Sequence, residues 1–173
     1  RRVSAEPRSS SIRGDVVRTI AFGTEHSWLC TTLGIAQFDL QRGVERIFTR
    51  ADGLCSNRVT GAAEAFGKTY FSTSWGDSGG GLAVLDSTTS VFTTLMEDDG
   101  LPTGKLESVQ VAGRQLRLVF GTEYLRHNSS ENLRYRRFPP LTFDPETNQF
   151  GQKVEPKLLA QNEAEPREIA KRS

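Results

Sequence analysis

A pattern that returns in step after 47 residues limits this 173-residue chain to repeat architectures. Gly53-Leu54 followed by Ser56-Asn57 reappears as Gly100-Leu101 followed by Thr103-Gly104. Asp39, which closes Gly34-Ile35-Ala36-Gln37-Phe38, stands the same interval before Asp86, which closes Gly81-Leu82-Ala83-Val84-Leu85. From each Asp to the next Gly-Leu is 14 residues in both copies. A third copy begins at Leu106 and reaches Leu141-Thr142-Phe143-Asp144-Pro145. Thr31, Thr73 and Thr122 each close a short apolar run. Coherent self-similarity at such a period marks one supersecondary unit repeated along the chain.

Each copy reads as four short strands. The first has them at about 15–22, 26–32, 34–40 and 44–49, and the second at about 58–66, 68–74, 81–86 and 91–95. Alternation is visible in Val109-Gln110-Val111 and Leu116-Arg117-Leu118, with Gly, Asp and Ser at the connections. No copy shows a helical stripe. Four antiparallel strands in about 45 residues is the size of one propeller blade, and a flat sheet of this kind must bury its faces against neighbours. The expected fold is all-β, a partial β-propeller of about three four-stranded antiparallel blades with disordered or short helical termini. The repeat domain covers 15–150, with blades at about 15–52, 53–99 and 100–150. A flexible basic segment, 1–14, precedes it and a charged tail, 151–173, follows. Within that tail Pro156 to Ala164 reads as a short helix with Pro in its first turn.

The stretches SWLCTTLGIAQFDLQRGVERIFTRADGLCSNRVT and TYFSTSWGDSGGGLAVLDSTTSVFTTLMEDDGLPTGKLESV resemble the propeller repeats of two-component regulators, WD40/YVTN-like blades. That pattern runs Trp-x-Gly-Thr-x-x-Gly-Leu, aromatic-Asp, then a Gly-Leu-Pro-Ser-Asn turn. The chain departs from it where Cys30 or Ser72 replaces the Gly before Thr, where residues are added after Thr73, and where no Gly-Leu precedes Phe143-Asp144. The resemblance implies a non-catalytic repeat scaffold, usually part of a longer extracytoplasmic (periplasmic) sensor. Three blades are fewer than the roughly four to eight that close a ring. The expected partners are therefore missing propeller blades or another copy of the chain. The start at Arg1 rather than Met fits an excised or processed piece.

A net charge of +1 gives no global steering toward nucleic acid or membrane, and no 18-residue apolar run exists. No cofactor is expected. His26 and His127 lack the company of a third His or spaced Cys, so no metal site is expected. Asn128-Ser129-Ser130 matches a glycosylation acceptor.

Length varies on one rim only. From the Thr marker to the Asp marker the spacing grows from 8 to 13 to 22 residues. Loops that accept insertions on a rigid scaffold are where recognition concentrates. The expected ligand-binding rim comprises Asp52, Asn57, Trp75, Asp77, Asp99, Tyr124, Arg126, Arg134, Arg136 and Arg137. Its arginines suit a small anionic or glycan ligand, because guanidinium groups bind oxyanions in pairs of hydrogen bonds. A protein surface is the other expected ligand. The bland alternative for the longest connection is a solvated loop, and for Asp52 and Asp99 ordinary Asp-Gly turn chemistry. Cys30 and Cys55 fall near the same rim, where the geometry allows either a disulfide or two unpaired, apolar thiols.

A rival reading is enzymatic. Gly76-Asp77-Ser78-Gly79-Gly80 resembles the nucleophile segment of trypsin-like serine proteases, with Ser78 as nucleophile and His26 then Asp39 or Asp52 in imitation of the triad order. Against it, His26 lies in Glu25-His26-Ser27-Trp28, and too few residues precede Ser78 for such a protease's first barrel. A third reading is purely structural, a blade fragment that packs against others or on itself.

Overall fold

The computed structural model describes residues 16–24, 26–74, 79–125, 134–151 and 156–160. Strands β1 (Val17–Phe22), β2 (Ser27–Thr31), β3 (Ile35–Asp39) and β4 (Gly43–Phe48) form the first sheet in sequential antiparallel order. β5 (Val59–Ala65), β6 (Lys68–Thr73), β7 (Gly81–Asp86) and β8 (Phe92–Leu95) form the second in the same way. The third copy begins with β9 (Leu106–Ala112) and β10 (Gln115–Phe120). It is then interrupted by β11 (Glu123–Leu125) and β12 (Arg134–Arg137), and is completed by β13 (Leu141–Asp144) and β14 (Gln149–Phe150). Its sheet runs β9-β10-β13-β14. The described residues thus contain three four-stranded antiparallel sheets, the architecture of a partial propeller.

Two expectations for the third copy are corrected. The connection read as a long loop contains β11 and β12, which with β15 (Lys157–Ala160) make a separate three-stranded sheet in the order β11-β12-β15. The helix expected from Pro156 is a strand over Lys157–Ala160, paired along β12 from Arg134↔Ala160 to Arg137↔Lys157. Residues 161–164 lie outside the described residues. An open edge on β12 offers unpaired N–H and C=O groups, and a strand satisfies them where a helix cannot.

The repeated markers have physical explanations. Asp39, Asp86 and Asp144 each end the third strand of a sheet, and each folds its carboxylate over the following turn. Oδ1 accepts from Gln41 and Arg42 N, from Thr88 and Thr89 N, and from Glu146 and Thr147 N, respectively. Gly53 and Gly100 end one-turn 3-10 helices at φ 113° and 110°, a region that only Gly enters freely. The leucines after them, Leu54 and Leu101, are buried as plugs between neighbouring sheets.

The pairing also gives the structural register of the third copy. Val17 pairs with Thr31, Val59 with Thr73 and Leu106 with Phe120. Gly121 N bonds to Lys105 O as Ser74 N bonds to Arg58 O. The counterpart of Thr31 and Thr73 is therefore Phe120, two residues before the Thr122 expected from the sequence.

Stacking of the sheets creates the core. Along β6 and β7 neighbouring side chains go to opposite sides: Tyr70, Leu82 and Val84 join a cluster with the third sheet, whereas Phe71, Ala83 and Leu85 join one with the first. The second sheet is consequently covered on both faces. β1, β5 and β9 lie side by side, as does β2 with β5 and β6 with β9. Small residues separate these inner strands, among them Gly61 and Ala62 of β5, while the outer strands β4 and β8 are held apart by Phe48 and Phe92, ring centroids 5.4 Å apart.

Candidate functional site

The antiparallel order places connections alternately on two rims. One rim carries the segments 31–34, 49–58, 74–80, 96–105 and the elaborated connection after β10. The other carries the tight turns at 23–26, 40–42, 66–67 and 87–91.

On the first rim the acidic candidates serve the turns themselves. Asp52 Oδ2 accepts from Thr49 N at 2.9 Å and from Thr49 Oγ1 at 3.2 Å, and Asp99 Oδ2 accepts from Met96 N at 2.8 Å. Asn57 Oδ1 accepts from Arg50 N at 2.7 Å, which ties the turn to the start of the next sheet. Glu97 Oε1 accepts from Gly104 N at 2.7 Å. Asp52 and Asn57 are thereby brought together, and Asp99 occupies the equivalent turn one repeat later. Trp75, Asp77 and Arg126 lie outside the described residues, as do Ser78, His127 and the Asn128 acceptor.

The arginine-rich segment is a strand. In β12, Arg134, Tyr135 and Arg136 pair with Leu125, Tyr124 and Glu123 of β11. Alternation puts Arg136 on the face opposite Tyr135 and Arg137, so the cations divide between two sides of a small sheet. Arg136 is exposed, and Glu123 is tied to the rim by a hydrogen bond from Thr103 Oγ1. Lys105 Nζ donates to Thr122 O next to it.

Cys30 and Cys55 are buried free thiols in one apolar cluster between the first two sheets. The disulfide alternative is not what the structure holds. Burial pushes the thiol of Cys30 up to about 12 and that of Cys55 up to about 11, because a thiolate there would lose its hydration.

The Gly-rich segment has a packing role. A Cβ on Gly80 would land on the carbonyl oxygen of Gly104, so two backbones meet here with no side chain between them. His26, the expected base of the protease reading, stands at the start of β2 on the turn rim, whereas Ser74 and Gly79, which flank Ser78, lie on the other rim. One strand length, roughly 16–20 Å, separates the two rims, and so His26 from Ser74 and Gly79.

Clefts open on the turn rim, where the sequence showed no site. One of 230 Å³ lies at the seam of the first two sheets, lined by Thr24, His26, Trp28, Glu64, Thr69 and Ser87. Glu64 reaches across this seam to accept from Thr24 N at 2.9 Å. Another of 100 Å³ lies at the next seam, lined by Lys68, Tyr70, Asp86 and Phe143 among others. His26 and Lys68, like Trp28 and Tyr70, are equivalent in the repeat. The clefts are thus one feature produced twice, a wedge of space beside a core aromatic, and this equivalence was the available signal. Trp28 Nε1 is buried without a hydrogen-bond partner among the described residues. Among those residues no three His, Cys, Asp or Glu side chains group as a metal site requires.

No family model and no curated protein matches the chain. Solved structures do match. The extracellular domain of the hybrid two-component system BT3049 from B. thetaiotaomicron aligns with a TM-score of 0.54 and 13% identity over 79% of this chain. The fold is that of propeller blades. Two extracellular-domain structures of BT4673 from the same organism align at TM-scores of 0.48 and 0.49, with 12% and 15% identity over 79% and 78% of this chain. In each case the chain spans 22% of the matched structure's length. Among the described residues no helix is long and apolar enough to cross a membrane.

Proposed function

We propose that this chain is a non-catalytic β-propeller repeat module that binds a ligand or a protein at its elaborated rim, as part of a larger, extracytoplasmic sensor-type propeller. The observation that carries the reading is the three-stranded sheet formed by β11 and β12, in the connection between β10 and β13, together with β15 from beyond β14. Stacked blades need only a short connection there, as between β2 and β3. The added sheet presents the exposed Arg136 on its central strand, chemistry suited to a carboxylate, sulfate or acidic sugar. Trp75, in the inserted segment of the second copy with Asp77 beside it in sequence, is the proposed stacking partner on the same rim, and Arg126 and Arg134 of the third copy's long connection complete it. The fold shared with an extracellular sensor-system domain supports the placement.

The test is a thermal-shift screen against anions and acidic glycans. Ligand-dependent stabilisation that disappears in Arg136→Ala and Trp75→Ala is the expected result. A flat response of a folded protein to the whole panel removes the ligand reading. Fluorophosphonate labelling of the wild type that is lost in Ser78→Ala would instead revive the hydrolase alternative.

A further inference from the structure

The two outermost faces of the stack differ in kind. The side of the second sheet that packs on the first carries Val59, Ala62, Phe71 and Leu85. By register, the same positions of the third sheet are Leu106, Val109, Leu118 and Phe143, which pack on the second sheet. In the first sheet they are Val17, Ile20, Leu29 and Phe38. All three sets are apolar, yet Val17 and Ile20 are 47% and 49% exposed, and Phe22 at the end of the same face is 71% exposed. None of the described sheets covers this back face.

The opposite, forward side behaves differently. Trp28 of the first sheet and Tyr70 of the second are buried in the inter-sheet clusters, and Val84 lies beside Tyr70. At the equivalent positions the third sheet has Arg117 and Thr142, both exposed, next to the exposed Gln110. The stack therefore ends in a polar surface at its third sheet and in an apolar one at its first. Terminal units of repeat stacks are finished by such polar faces.

We propose that the back of the first sheet is a docking face for one further four-stranded sheet of this repeat, one that presents an aromatic-lined forward face like those of Trp28 and Tyr70. The occupant is specified by what already fills the two equivalent positions within the chain. The third sheet of a second copy does not qualify, because docking there would bury the Arg117 guanidinium against Ile20 and Leu29 without a partner. An exposed sheet face of about four strands by five residues is several hundred Å², at the upper end of what a lone soluble protein leaves uncovered. The proposal extends the reading of the chain as part of a larger propeller; it relies on sheet packing and not on the rim ligand.

The test supplies the missing complement. Gln110→Ala, Arg117→Tyr and Thr142→Val together give the third sheet the residues that the second carries at Ala63, Tyr70 and Val84. Sedimentation velocity is expected to show the wild type as a monomer near 10 µM. The triple variant should associate head-to-tail with a dissociation constant at least about tenfold tighter, and adding Ile20→Lys and Phe22→Ser should return it to monomer. A folded, monomeric triple variant, checked by its melting transition, would overturn the docking proposal while leaving the rim reading to the Arg136 test. Equal association of the wild type, abolished by Ile20→Lys and Phe22→Ser, would also overturn it, since the occupant would then be a second copy.

Discussion

Leu29 and Leu118 hold the same position in the first and third sheets, and the same substitution at both measures what coverage by a neighbouring sheet contributes. Leu118 is fully buried in the cluster between the second and third sheets. Leu118→Ala removes three carbons, about 2.4 kcal/mol of transfer free energy at ~0.8 kcal/mol each. It also leaves a cavity walled by two sheets, which brings the cost to about 3–5 kcal/mol. Leu29 is only partly buried, on the uncovered back of the first sheet. There the transfer contribution scales with its partial burial and no enclosed cavity forms, so Leu29→Ala should cost about 1 kcal/mol. At about 2–4 °C per kcal/mol for a domain of this size, Leu118→Ala lowers Tm by about 10 °C and Leu29→Ala by about 3 °C. Urea titrations followed by the fluorescence of the buried Trp28, run at dilute protein, read both. Equal losses at the two positions would refute the reasoning, for they would mean that the back of the first sheet is already covered.

Other outcomes follow from the turns, the seams and the thiols. Gly80→Ala should destabilise by at least about 2 kcal/mol because backbone must move, whereas Gly113→Ala, at φ 65° with open space around it, should cost about 1 kcal/mol; thermal melts compare them. Cys30 and Cys55 should resist a thiol reagent at pH 8 until denaturant is added, then both react; rapid native labelling would contradict their burial. Their raised folded-state values mean that this contribution to stability is intact below about pH 9 and is lost as the pH climbs toward 11–12, which urea titrations at pH 8 and 10 would show. The backbone N–H groups around Asp39, Asp86 and Asp144 hold these carboxyls below their usual range, so their contribution is present above about pH 4 and fades as the pH falls further. Asp86→Asn keeps an acceptor oxygen and should flatten that part of an acid titration.

The strands of the first two copies were legible to within one or two residues, because the Asp turns and the Gly-Leu plugs are local chemistry repeated at a fixed interval. Alternation in Leu116-Arg117-Leu118 likewise marked β10 correctly. What escaped the sequence was tertiary. Arg134-Tyr135-Arg136-Arg137 has no apolar alternation and becomes a strand through its neighbours on either side. Leu158-Leu159-Ala160 favours helix by local propensity, and the open edge of β12 overrides it. Thr122 misled the register of the third copy because a matching residue type stood two positions from the true equivalent. On the expected rim, Asp52 and Asp99 make the turn hydrogen bonds that Asp-Gly chemistry signalled, and Asn57 also bonds to backbone, while the seam clefts beside Trp28 and Tyr70 required knowing which sheet faces which.

Ala62 near the inner edge and Phe48 with Phe92 near the outer edge make the gap between the first two sheets thinner at one side than at the other. Such a taper sets curvature, and curvature sets how many sheets go once around. The curvature of the described stack is therefore encoded in a gradient of side-chain volume, and a bulky residue in place of Ala62 would flatten the arc.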